Sequence, residues 1–123
     1  MAELLEPTLR ITMLPRDTNA HGTIFGGVIL SHIDLAGGIA AARAASRNFV
    51  TRAMREVEFI APVYVGDVVS FYATIVRRGN TSLTIRVTVE SERYKEPRRR
   101  VKVTEAEVVY VAVDEGGKPI PLS

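Results

Sequence analysis

The residue whose type and setting most clearly suit chemistry is Asp34. It lies in Ile33–Asp34–Leu35–Ala36–Gly37–Gly38 and is the only acidic side chain between Asp17 and Glu56. The run around it, roughly Gly26 to Ser46, is apolar almost all round and reads as a buried helix about 30 Å long. A carboxylate in such a helix costs several kcal/mol unless it is paired or reaches water. Helical spacing puts Gly27, Ser31, Gly37, Gly38 and Ala41 near its side, and all are small. Interior glycines cost about 1 kcal/mol each relative to alanine, so their presence points to close approach by a ligand or by another backbone. The plain alternative is a core acid satisfied by a neighbouring hydroxyl or by Arg43.

Other polar groups near Asp34 in sequence are weaker candidates. His32 stands about 200° around the helix from Asp34, so it points away and reads as a packed histidine. Asn19 and His21 belong to the loop Arg16–Asp17–Thr18–Asn19–Ala20–His21–Gly22–Thr23, rich in turn formers. The Asn19 amide both donates and accepts hydrogen bonds, which suits holding a water or a carbonyl oxygen, although a turn asparagine has the same signature. Phe25–Gly26–Gly27 opens the helix. Unsatisfied N–H groups there carry partial positive charge, and two glycines allow a carbonyl to approach them. A tight strand-to-helix turn would use the same three residues.

The elements that hold these groups follow from pattern. Thr8 to Leu14 reads as a strand closed by Pro15, and Val50 to Tyr94 reads as extended. Leu83, Ile85, Val87 and Val89 alternate with Thr84, Arg86, Thr88 and Glu90, a period of two. Arg78–Gly79–Asn80–Thr81 reads as a hairpin turn. Arg98 to Asp114 is a long strand whose valine parity is interrupted at Glu105 and Glu107, which predicts a bulge or a change of covered face near Thr104. One long helix followed by consecutive strands predicts an α+β architecture, the helix wrapped by an antiparallel sheet. A helix apolar on every side needs cover on its outer face too, and a second copy of the chain is the simplest cover.

The 123 residues are 46% hydrophobic and 24% charged, an ordinary globular composition, and the whole chain 1–123 reads as one domain. Cysteine is absent, which excludes disulfides and cysteine nucleophiles, and two histidines do not build a three-histidine zinc site, so no metal is expected. Ile24 to Ala45 is interrupted by His32, Asp34 and Arg43 and would span a membrane poorly. No signal-peptide pattern opens the chain. A cytoplasmic protein without membrane association is the expectation. Arg77 to Lys102 holds nine cationic against three acidic side chains, a polarity that would draw a polyanion to one end, or else a pair of salt-bridged strands. Aromatic residues hardly interleave with these charges, which argues against nucleic acid.

Taken together, Leu14–Pro15–Arg16–Asp17–Thr18–Asn19–Ala20–His21–Gly22–Thr23–Ile24–Phe25–Gly26–Gly27, the Asp34 segment, Phe59 to Val69, and Thr104–Glu105–Ala106 with Tyr110 to Asp114 resemble the hot-dog-fold acyl-CoA thioesterases of the YciA type. These matches run through nearly the whole chain in family order. The resemblance implies a hot-dog fold and hydrolysis of acyl-CoA to a free acid and CoA, with CoA as part of the substrate and no cofactor. It implies Asp34 as catalytic acid residue, acting as general base or nucleophile, and Asn19 supplied by the other subunit of a dimer. Gly26 and Gly27 correspond to the helix start that polarises the thioester carbonyl. The family commonly assembles as a trimer of dimers, so a homo-hexamer is expected. Phe25 and Ser31 are expected to line the substrate site. The CoA phosphates are expected on Arg77, Arg78, Arg98 and Arg99, helped by Thr81 and Ser82. Val28 and His21 depart from the family's usual residues and bear on acyl-chain preference. A CoA-binding module without catalysis and a hot-dog hydratase or dehydratase are the alternatives.

Overall fold

A computed structural model describes residues 6–123. The element order is β1 (Leu9–Thr12), a short 3-10 turn (Pro15–Asp17), α1 (Gly26–Ala44), β2 (Asn48–Phe59), β3 (Val68–Arg78), β4 (Ser82–Glu92) and β5 (Arg100–Val113). The strands form one sheet in the order β1-β3-β4-β5-β2, and every neighbouring pair is antiparallel. This is the sheet wrapped around one helix that the pattern predicts. Its hairpin turn falls at Gly79, whose N–H donates to the Ser82 carbonyl at 2.8 Å. The helix stops short of the expected Ser46. Ala45 is already extended at φ −155°, because the chain must turn into β2 within three residues.

Bulges give the sheet its curl. The β4–β5 ladder skips Val103 between the pairs Val89–Thr104 and Glu90–Lys102, one residue before Thr104. Further shifts occur between Thr51 and Ala53 and between Arg55 and Glu58 on β2, where Glu56 adopts φ 54°, and between Ile75 and Arg77 on β3. Each extra residue bends its strand and sharpens the twist. The concave face so formed takes Ile29, Ile33, Ala36, Gly37 and Ala41 of α1 against Phe71, Leu83, Ile85, Val87 and Val108. Burial is one-sided. Leu35 is 54% exposed, and Ser31 and Ala42 on the same outer face are exposed as well.

Asp67, at the entrance to β3, ties the sheet to the loop before it. Its Oδ2 accepts from Ser91 Oγ (2.8 Å), Arg93 Nη1 (2.8 Å) and the Tyr64 N–H (3.0 Å), and its Oδ1 accepts from the Tyr94 N–H (3.1 Å). Burial alone would push this carboxyl up. The Tyr64 N–H, the Ser91 hydroxyl, the Tyr94 N–H and Arg93 outweigh it and hold the group below its usual value. Arg93 in turn lies 4.9 Å over the Tyr64 ring. Asp67→Asn is therefore expected to lower stability at pH 7 by about 3 kcal/mol, since it takes the counter-charge from the largely buried Arg93 side chain. The folded carboxyl titrates below the unfolded one, so its contribution is full at neutral pH and fades as pH falls through the folded-state value. Urea melts of wild type and variant should converge toward acid, and a gap constant from pH 7 to about pH 3 contradicts this.

Candidate active site

Asp34 lies two turns into α1 and is half-buried, facing a groove of about 630 Å³ shared with Ser31, Gly38, Asn48, Phe49 and Thr51. Its Oδ1 accepts from Thr51 Oγ1 at 2.6 Å and from the Tyr110 hydroxyl at 3.2 Å. The same hydroxyl donates to the Asp34 main-chain carbonyl at 2.7 Å. Among the described residues no cation forms an ion pair with Asp34, and Arg43 is exposed in the last helical turn. Oδ2 has no hydrogen-bond donor among the described residues. Burial first, then the charge and hydrogen bond of Asp34, push the Tyr110 phenol far above the ordinary tyrosine range, so it remains a donor.

Thr51 and Tyr110 reach Asp34 because they are partners across the β2–β5 ladder. Gly37 explains how the phenol comes so close: a Cβ at that position would overlap the Tyr110 oxygen. The close approach expected there, by a ligand or by another backbone, is made by a tyrosine side chain from the sheet. Gly27 is likewise closed off, since a Cβ there would meet the Phe25 ring at 2.6 Å. Ser31 and Gly38 are the two small neighbours that do line the groove beside Asp34.

The helix start is a second, separate feature. Gly26 and Gly27 occupy its first two positions, and their N–H groups have no acceptor among the described residues. Gly26 borders a cavity of about 320 Å³ with Ile29, Phe59, Ala61, Val63 and Thr104. Eight residues of helix separate Gly26 from Asp34, about 12 Å along the axis. One carbonyl cannot touch both ends of that span.

The remaining expected residues divide. His32 is packed, its Nδ1 2.8 Å from the Val28 carbonyl and its ring 5.8 Å from Phe71. Asn19 closes its own loop: Oδ1 accepts from the N–H groups of His21 (2.8 Å) and Thr23 (3.2 Å), and Nδ2 donates to Thr23 Oγ1 (2.8 Å). One Nδ2 proton is left over. The cationic segment does not gather at one end of the chain. Arg77, Arg78, Thr81 and Ser82 flank the β3–β4 turn, whereas Arg98 and Arg99 lie beyond the far end of β4, 11 residues or about 35 Å away. Five cations of the segment, Arg86, Arg93, Arg99, Arg100 and Lys102, are paired with Glu107, Asp67, Glu96, Glu92 and Glu105. Arg77 and Arg78 have no acidic partner among the described residues.

Residues 21–97 match the Thioesterase superfamily. The chain belongs to that superfamily. Its sheet-wrapped helix is the hot-dog fold. The acyl-CoA thioester hydrolase YciA of Salmonella typhimurium is 46% identical over 119 residues, which are 95% of this chain and 90% of that protein. Cj0915, a hexameric hotdog fold thioesterase of Campylobacter jejuni, superposes with a TM-score of 0.91 at 45% identity, covering 97% of this chain and 91% of its own. HI0827, a hexameric broad specificity acyl-coenzyme A thioesterase, superposes in a mutant form at 0.91 with 37% identity, over 96% and 86% of the two chains.

Reading this hot-dog chain from sequence alone missed Thr51. Nothing in Asn48 to Met54 marks it, because its role depends on a strand pairing. Tyr110 lay in a matched segment but carried no local signal of the acid it would meet. The Gly37–Tyr110 fit is testable by Gly37→Ala. Helix propensity alone favours alanine by about 1 kcal/mol, yet the added methyl must displace the phenol, so a net loss of about 1–2 kcal/mol is expected. A raised thermal midpoint for the variant contradicts the fit.

Proposed function

We propose that this chain hydrolyses acyl-CoA thioesters to a free acid and CoA, as one hot-dog domain working in a homo-oligomer and without added cofactor. The observation that carries the mechanism is the separation just described. Asp34 needs its reacting oxygen within reach of the thioester carbon, or one water away. The helix-start N–H groups must stand 2.7–3.1 Å or so from the developing oxyanion, about a hydrogen-bond length. About 12 Å apart on one helix, the two meet on one substrate only when they come from different chains.

The outer face of α1 suits that arrangement. Gly27, Ser31, Leu35, Gly38 and Ala42 run along it without cover from the sheet, and β2 is an edge strand that carries exposed Val50 and Phe59. A second copy laid antiparallel brings its Gly26 and Gly27 to this chain's Asp34, and its Asn19 loop with them. The named hexameric relatives support extending such dimers to a homo-hexamer.

In the proposed reaction Asp34 is the general base. The hydrogen bonds from Thr51 and Tyr110 hold Oδ1 in place, while Oδ2 keeps a lone pair for a proton. Water held between Oδ2 and the partner's Asn19 amide gives up a proton to Asp34, and its oxygen bonds to the thioester carbon. The carbonyl oxygen gains negative charge against the Gly26 and Gly27 N–H groups. The C–S bond then breaks, and CoA leaves as thiolate and takes the proton back from Asp34. Arg77 and Arg78 stand at the Asp34 end of the sheet, in the ladder row Thr51–Tyr110–Leu83–Arg78, three strand spacings or about 14 Å across. They are assigned to the CoA phosphates with Thr81 and Ser82. Arg98 and Arg99 reach the same substrate only from the second chain, alongside its Phe25 and helix start.

Release of CoA thiol from acyl-CoAs of graded length tests the activity. Asp34→Ala is expected to lower kcat by about 10³-fold while CoA binding, measured by titration calorimetry, stays within a few-fold. Tyr110→Phe is expected to lower kcat by about tenfold with KM little changed, because the carboxylate loses one anchor. Hydrolysis by Asp34→Ala near the wild-type rate contradicts the assignment.

A further inference from the structure

Two phenyl rings bracket the glycines that open α1. The Phe25 ring lies on Gly27, where a Cβ would meet it at 2.6 Å, and the Phe59 ring lies on Gly26, 3.4 Å from where a Cβ would stand. Phe25 is 58% exposed and Phe59 54%. Phe59 is the last residue of β2 and strand pairing holds it there. It stands opposite Thr104, and the next N–H, of Ile60, donates to the Val103 carbonyl at 2.8 Å. Of the two rings, Phe59 walls the cavity of about 320 Å³ beside Gly26. Ile24, Ala61, Pro62 and Val63 make most of the remaining wall apolar.

A thioester carbon carries two arms, the CoA sulfur and the acyl chain, and they diverge from the carbonyl oxygen held at the helix start. In the proposed reaction the sulfur arm runs to Arg77 and Arg78, which belong to the chain that supplies Asp34. The acyl arm is then left with the chain that supplies Gly26 and Gly27, and the apolar cavity opens beside them. A half-exposed phenyl ring at its wall gives methylenes a surface on which to leave water. At roughly 30 Å³ for a unit the size of a water or a methylene, the cavity of about 320 Å³ takes a chain of about ten carbons.

We propose that this cavity is the acyl subsite and that Phe59 sets its chain-length preference, so that linear aliphatic chains of about six to ten carbons are hydrolysed in preference to shorter ones. The proposal rests on the thioesterase reading and adds the substrate class to it. Phe59 acts by contact with the chain and takes no part in the bond that breaks.

The test follows release of CoA thiol from butyryl-, hexanoyl- and octanoyl-CoA in the wild-type protein, Phe59→Ala, Phe59→Leu and Ala61→Leu. The readout is the slope of kcat/KM with chain length, which a general loss of folding or assembly does not move. Wild-type kcat/KM is expected to rise about threefold per added methylene. Phe59→Ala should flatten the series to less than about 1.5-fold per methylene, and Phe59→Leu, which keeps an apolar wall, should retain most of the slope. Ala61→Leu puts a larger side chain in the cavity wall and should cost octanoyl-CoA about tenfold more than butyryl-CoA. A flat or falling wild-type series overturns the proposal. So does a Phe59→Ala series parallel to the wild type, since the ring would then serve the fold or the contact between chains. If Phe59→Ala does not fold, the wild-type slope and Ala61→Leu decide, and an equal loss on both substrates in Ala61→Leu defeats the subsite. A flat series with full thiol release defeats this proposal alone, whereas no release from any of the three substrates defeats the thioesterase reading and this proposal with it.

Discussion

A single sheet covers only one side of an apolar helix, and much of this molecule's behaviour follows from that. The bulges in β2, β3 and β5 curl the sheet far enough to bury Ile29, Ile33, Ala36 and Ala41. They do not carry it around to Leu35, Ser31 or Ala42. Asp34 lies at the boundary between the two sides. Thr51 and Tyr110 hold one of its oxygens from the sheet, and the other faces the uncovered groove. A carboxylate wholly on the buried side would cost several kcal/mol, and one wholly outside would be loosely held. At the boundary it is both fixed and accessible.

Two neighbouring hydroxyls satisfy Asp34, and they also orient it. The Tyr110 phenol spans the side chain and the main-chain carbonyl of the same residue, so it fixes the carboxylate relative to the helix backbone. Gly37 gives up helix propensity to admit that phenol. Asp67 shows the contrasting use of a carboxylate in the same fold. It is 1% exposed and is held by four donors, Arg93 among them, at the wall of a cavity of about 580 Å³ that it shares with Arg93, Tyr94 and Arg99. The two acids differ in setting: Asp67 is buried among four donors and Asp34 is half open.

Much of the fold was legible in the sequence, for local reasons. The alternation from Leu83 to Val89 marks β4 because side chains of a strand alternate between faces, and all four apolar members are fully buried. The break in parity near Thr104 marks a real bulge at Val103. Asp34 was legible because an isolated charge in an apolar helix is costly. Thr51 and Tyr110 were not, since residues 59 positions apart meet only through ladder register. The cationic segment carried two readings, a pole for a polyanion and a pair of salt-bridged strands, and the fold favours the second. An 11-residue strand carries its residues to opposite ends of the molecule, and five of its nine cations form ion pairs.

The proposed site is shared between two chains, with Asp34 from one and the Asn19 loop and helix start from the other. The most direct measurement mixes two inactive variants, Asp34→Ala and Asn19→Ala, after joint unfolding and refolding in equal amounts. A shared site makes each mixed dimer carry one site with both residues intact, and random pairing then restores about a quarter of wild-type thiol release. If Asp34 and Asn19 of the same chain served one substrate, no pairing could restore a site, and the mixture would stay as inactive as its parents.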